Sequence, residues 1–172
     1  KNLLSALADL QPDRHPSRSD PEYVVLLDDG GQITLPPEVS ERMTVVTESL
    51  RENPSRAEDL LEELDLDVVH FPIQSFVETE SPTVFNPCDL NHEYYPEHFT
   101  DEMLEARRNH YLSACRAATL VDTYSLEVKN QLVETYRRLD REKIHPVPMG
   151  PALTPHEGDG TESAEVDDRV PE

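Results

Sequence analysis

The chain has no tryptophan, two cysteines, five glycines and three lysines among its 172 residues. Only 6% of residues are aromatic and 36% hydrophobic, so the core is expected from a few short aliphatic runs rather than from aromatics. Cys88 and Cys115 make no disulfide framework and no Cys-x-x-Cys pair. Combining Cys88 with His92 and then Cys115 or His110 gives no standard zinc spacing, so no metal is expected. The Asp28-Asp29-Gly30-Gly31 turn has neither the Gly-x-Gly-x-x-Gly pattern nor a phosphate-loop lysine, which disfavours a dinucleotide-binding oxidoreductase and implies no resident cofactor. No window approaches the ~20 apolar residues of a bilayer-spanning helix. Lys1-Asn2-Leu3-Leu4 lacks the regions of a secretory signal. A soluble, cytoplasmic protein is expected.

Negative charge is abundant. Thirty-six acidic against 15 basic residues leave a net charge of -21, a field that repels phosphate backbones and makes nucleic acid an unsuitable partner. Seven acidic residues against Arg169 alone lie beyond Gly150. The lysine-poor, acidic remainder suits a high-salt cytoplasm in which self-repulsion is screened, so a halophilic source is expected.

Length and composition point to one domain. Leu3, Leu4, Leu7 and Leu10 form a helical stripe before Pro12. Glu22 to Leu27 reads as a strand, Met43 to Thr47 as a weaker one, and Ser55 with Glu58 as a capping box opening a helix. Strands follow at Asp67 to Pro72, Thr83 to Phe85 and Ala118 to Val121, with a last extended piece at Lys143 to Pro148. Thr100 starts a long helix to about Ala118, and Ser125 caps one through Leu139. This alternation predicts an α/β domain over residues 1–150, doubly wound around a mostly parallel sheet with helices on both faces. Such a domain normally begins on a strand, so its first strand is expected to be missing and the N-terminus incomplete. Residues 151–172, rich in proline, glycine and acid, read as a disordered tail or interdomain linker.

Several pieces resemble the N-terminal domain of the family 4 glycosyltransferases of the GT-B fold. Asn2 to Ala8 looks like their first helix, and Asp67-Val68-Val69-His70-Phe71-Pro72 like their strand D-V-V-H-x-P. Asn86-Pro87-Cys88-Asp89-Leu90-Asn91-His92 with Tyr95-Pro96-Glu97-His98-Phe99 is similar to N-P-H-D-L-Q-H…P-E-x-F. Ser125, Lys129, Glu142-Lys143-Ile144 and Val147-Pro148-Met149-Gly150 resemble the closing V-S-x-x-x-K…E-K-I-x-V-V-P-x-G.

The resemblance implies transfer of a sugar from a nucleotide-sugar donor to an acceptor hydroxyl with retention, without an obligatory metal. The donor nucleotide sits mainly on a C-terminal domain that this sequence lacks, so the chain reads as the acceptor-side half, inactive alone. Cys88 stands where the family has a histidine that contacts the donor sugar, and a thiol is a poor hydrogen-bond donor. Asp89 and Cys88 are the candidate catalytic positions. His70, Gln74, Asn86, Asn91, His92, Ser125 and Lys129 are the candidate substrate-binding residues, with His92 or Asn86 able to replace the missing contact. The alternative is a non-catalytic α/β module that binds a carbohydrate or a protein. Ser125 and Asp89 also have plain structural roles open to them, as helix and turn caps. Arg107 and Arg108 are expected to pair within their helix.

Overall fold

A computed structural model describes residues 4, 7, 22–28, 35, 37–48 and 54–150. The chain is α/β and Rossmann-like, and every strand pairing among these residues is parallel. Strands β1 (Val24–Asp28) and β2 (Thr44–Glu48) form one sheet, linked through helix α1 (Pro37–Arg42). Helix α2 (Pro54–Glu63) leads into a four-stranded sheet of β3 (Val69–Phe71), β4 (Thr83–Phe85), β5 (Leu120–Thr123) and β6 (Ile144–Pro146), in that spatial order. Between β4 and β5 come the short α3 (Asn91–Tyr94), a 3-10 turn (Pro96–His98) and the long α4 (Asp101–Ala117). Helix α5 (Leu126–Thr135) joins β5 to β6. Leu4 and Leu7 are helical and pack on the cluster of Val25, Val39 and Met43. The tail at 151–172 and the Gly30-Gly31 turn lie outside the described residues. No helix among the described residues is long and apolar enough to cross a membrane.

Local chemistry accounts for the boundaries. The Thr100 hydroxyl accepts the Met103 N–H at 3.2 Å and so opens α4. At the other end the Lys143 amine donates to the carbonyls of Arg116 and Ala118 at 2.9 and 2.8 Å, satisfying the last turn. Leu104, Tyr111, Ala114 and Cys115 form the buried stripe of that helix. Thr83 and Thr119 exchange backbone-to-hydroxyl bonds of 3.0 and 3.2 Å, which pin the entry of β4 beside that of β5.

Some expectations change. Helix α2 begins at Pro54, so Ser55 lies inside its first turn rather than at the cap, with proline's preset φ favouring that start. The core also draws on aromatics: Phe71 packs on Phe76 at 5.0 Å between ring centroids, Phe76 on Phe85 at 5.5 Å, and Phe85 on Tyr111 at 6.4 Å. Arg108 pairs across to Glu93 of α3 at 2.9 Å, and Arg107 stacks over the Phe99 ring at 5.1 Å, so neither arginine depends on a partner within α4.

Register decides which residues face the core. Val69, Thr83, Phe85, Val121, Thr123 and Ile144 alternate onto one face, which is buried. His70, Val84, Leu120, Asp122 and His145 fall on the other face, which is half-buried or exposed. The candidate His70 of β3 therefore shares the more open side with Asp122 of β5.

Candidate functional site

A polar cluster forms toward the carboxyl ends of β3, β4 and β5, drawing His70 and Asp122 from the strands and Asn86, Cys88 and Tyr124 from the turns after them, on the side where open α/β sheets gather ligands. Asp122 is its hub. Its Oδ2 accepts the Asn86 side-chain amide at 3.0 Å and has His70 Nε2 at 3.7 Å, too long for a direct hydrogen bond. Its Oδ1 is buried without a partner among the described residues. Burial pushes the Asp122 carboxyl up, but the His70 ring and the Asn86 amide outweigh this and hold it below its ordinary value. Asp122 therefore stays ionised at neutral pH.

Asn86 links this hub to the following turn. It is buried, its N–H donates to the Phe71 carbonyl at 2.9 Å, and its Oδ1 accepts the Cys88 N–H at 2.7 Å. That bond holds Cys88 in the left-handed region at φ 64°, a conformation that costs a non-glycine residue about 1–2 kcal/mol. The chain consequently turns sharply between β4 and α3. Asp89 Oδ1 then accepts the Asn91 N–H at 3.0 Å, an Asx turn that starts α3.

The Cys88 sulfur lies 3.9 Å from the Asn86 carbonyl and 3.9 Å from the Tyr124 hydroxyl. Tyr124 in turn donates to the Pro72 carbonyl at 3.1 Å, closing a ring of contacts across β3, β4 and β5. Burial raises the Cys88 thiol above its ordinary range, and the Asp89 and Asp122 charges add to this. Tyr124 is pushed up to about 12, chiefly by burial. At neutral pH the cysteine is a thiol and the tyrosine a phenol.

The remaining candidates separate. Gln74 keeps its backbone near the cluster, where its carbonyl accepts a 2.7 Å bond from His110 Nε2. Asn91 is exposed on α3. His92, four residues beyond Cys88 and three beyond Asp89, is instead a core residue: 0% exposed, Nε2 3.4 Å from the Tyr136 hydroxyl and its ring 4.6 Å from that of Tyr111. Ser125 caps α5 by accepting the Val128 N–H at 3.2 Å. Lys129 donates its amine to the Ile144 carbonyl and so ties α5 to β6. Neither of the last two belongs to the Asp122 cluster.

Sequence reasoning did not single out Asp122. The available signal was a carboxylate inside the apolar run Leu120-Val121-Asp122-Thr123, since an unpaired charge is costly in such a setting. Among the described residues no group of three or more histidine, cysteine, aspartate or glutamate side chains is arranged to hold a metal ion. As a whole the cluster combines an ionised carboxylate, a neutral thiol and a neutral phenol with the half-exposed His70.

No family model matches this chain, and no curated protein matches it.

Proposed function

We propose that this chain is the acceptor-side half of a retaining glycosyltransferase that works with a nucleotide-binding domain outside residues 1–172. Its donor is a nucleotide sugar held mainly by that domain, and its acceptor is a carbohydrate or another hydroxyl compound. The observation that carries the reading is the turn at Asn86 to Asp89. A strained backbone turns the chain at Cys88, just past the carboxyl end of a parallel strand, where Asn86 binds both the Cys88 N–H and the Asp122 carboxylate, itself 3.7 Å from the half-exposed His70. Strain of this kind persists where surrounding contacts over-determine it, and it concentrates at functional sites.

Retention needs the acceptor oxygen on the face that the diphosphate leaves, so the site must position both partners and stabilise charge on an oxocarbenium-like sugar. In this chain His70, Asp89 and Asn91 supply the hydrogen-bonding groups for orientation. Asp122 acts through Asn86 and is a positioning residue. Cys88 supplies little polarity, because its thiol is neutral and already directed at Asn86 and Tyr124.

That same thiol favours a second reading, a carbohydrate-binding module without transfer activity. Joining the chain to a family-type C-terminal domain and assaying transfer from a panel of nucleotide sugars separates the two. Turnover that falls at least tenfold in Asp89→Ala supports the transferase. No turnover even in Cys88→His supports the module.

A further inference from the structure

The parallel crossover from β4 to β5 sets the 91–99 segment and the start of α4 on the side of the strands' carboxyl ends, because α4 must run back along the sheet before β5 begins. On that side Asn91, Tyr95, His98 and Phe99 line a concavity of about 400 Å³. Small-molecule sites typically span ~300–1,000 Å³, so this one has room for a monosaccharide or disaccharide.

Its walls differ from those of the Asp122 cluster. Tyr95 is 54% exposed, and its ring lies 6.4 Å from that of His98 at an interplanar angle of 32°. Asn91 adds an amide, and its N–H bond to Asp89 joins this concavity to the Asn86–Asp89 turn. An exposed ring beside an amide and an imidazole suits a ligand with an apolar face and a rim of hydroxyls. Charge narrows the choice further. Glu97 lies 3.9 Å from His98, and Asp101 and Glu102 open α4, which disfavours anions such as phosphates. The Arg107 guanidinium already covers the Phe99 ring and repels a cation there.

We infer that this concavity is a subsite for a neutral pyranose ring, with Tyr95 as the stacking face and Asn91 and His98 as hydrogen-bonding partners of its hydroxyls. Assigning that ring to the acceptor rests on the glycosyl-transfer reading.

Saturation-transfer NMR on the full 172-residue chain tests the site, with methyl α-glucopyranoside and methyl α-mannopyranoside as probes and sorbitol as an acyclic control. The expected result is transfer to the ring protons of a glycoside and none to sorbitol. Tyr95→Ala is expected to weaken binding about tenfold, while Tyr95→Phe, which keeps the ring, preserves it. Binding that survives Tyr95→Ala but is lost in Asp89→Ala moves the sugar to the Asp122 cluster; that overturns the subsite and leaves the transferase reading standing. No binding of either glycoside by a chain whose joined form turns over overturns the subsite alone. Loss of binding in Tyr95→Phe equal to that in Tyr95→Ala also overturns it, because the ring would then not be the contact.

Discussion

His70 lies on strand β3 and His92 on the short helix α3 that follows β4, and the two differ sharply in burial and in partners. His70 sits on β3 with its side chain 40% exposed and Asp122 at 3.7 Å. His92 is sealed between Tyr111 and Tyr136, and its Nδ1 has no partner among the described residues. The division runs through a single short stretch. Leu90 and His92 enter the core, while Cys88 and Asp89 stay half-buried and Asn91 is exposed. Residue type thus does not mark the site here; the backbone reversal at Cys88 decides which polar groups remain accessible.

The largest expected effect breaks that contrast at its buried end. His92→Ala leaves a cavity and strips the Tyr136 hydroxyl of its partner, which costs about 3 kcal/mol. His70→Ala removes a half-exposed ring and is expected to cost less than ~1 kcal/mol, and, on the glycosyl-transfer proposal, to lower turnover of the joined chain. Urea unfolding of the two variants checks the ordering, and equal losses would show that His92 is not sealed as described.

Acid separates the same two places. Burial, the largest cause, holds the His92 imidazole below its ordinary 6.5, with the Arg107 and Arg108 charges acting the same way and those of Glu93 and Asp89 opposing. Tyr111, Tyr136 and the Cys115 thiol beside it stay neutral, since each is pushed up by burial. Below pH 6.5 the unfolded chain takes up a proton that folded His92 refuses, so stability declines from there down to the folded value. Asp122 gives a second, lower step. Its folded pKa is below 3.8, so the stability it contributes is complete above 3.8 and is lost as pH falls through the folded value. His92→Phe is expected to flatten the upper step and leave the lower one, and Asp122→Asn to do the reverse. Thermal melts from pH 7 to 3 read both, and an unchanged upper step in His92→Phe would refute the assignment.

Much of the fold could be read from local chemistry. The caps at Thr100 and Ser125 and the β-prone apolar residues of β1, β3 and β4 act over a few residues, where sequence carries the signal. Helix α1 spans six residues and α3 four, too few to show a helical period. Helix α5 stops at Thr135 rather than Leu139, because Tyr136 leaves helical geometry at φ -109° and ψ 67° and points its hydroxyl at His92, a tertiary contact no local pattern displays. The site was half legible. The motif resemblance pointed to His70, Asn86 and Asp89, whereas the hub at Asp122 depends on register between strands more than 30 residues apart. The positive φ at Cys88 was hidden because the residue is not a glycine.

The smallest effect addresses Asp89, which has two roles to separate. As a turn cap it needs only an acceptor oxygen for the Asn91 N–H, and asparagine supplies one. As a ligand anchor it needs its charge, which asparagine lacks. Asp89→Ala is therefore expected to cost about 1 kcal/mol of stability and Asp89→Asn close to none. If the carboxylate anchors a sugar hydroxyl, both substitutions weaken binding, since a charged acceptor bonds about twice as strongly as a neutral one. Stability kept in Asp89→Asn with affinity lost makes Asp89 part of the accessible set with His70. Stability and affinity both kept assign it to the turn alone, and the boundary between the outward and inward halves of the stretch then moves to Asn91.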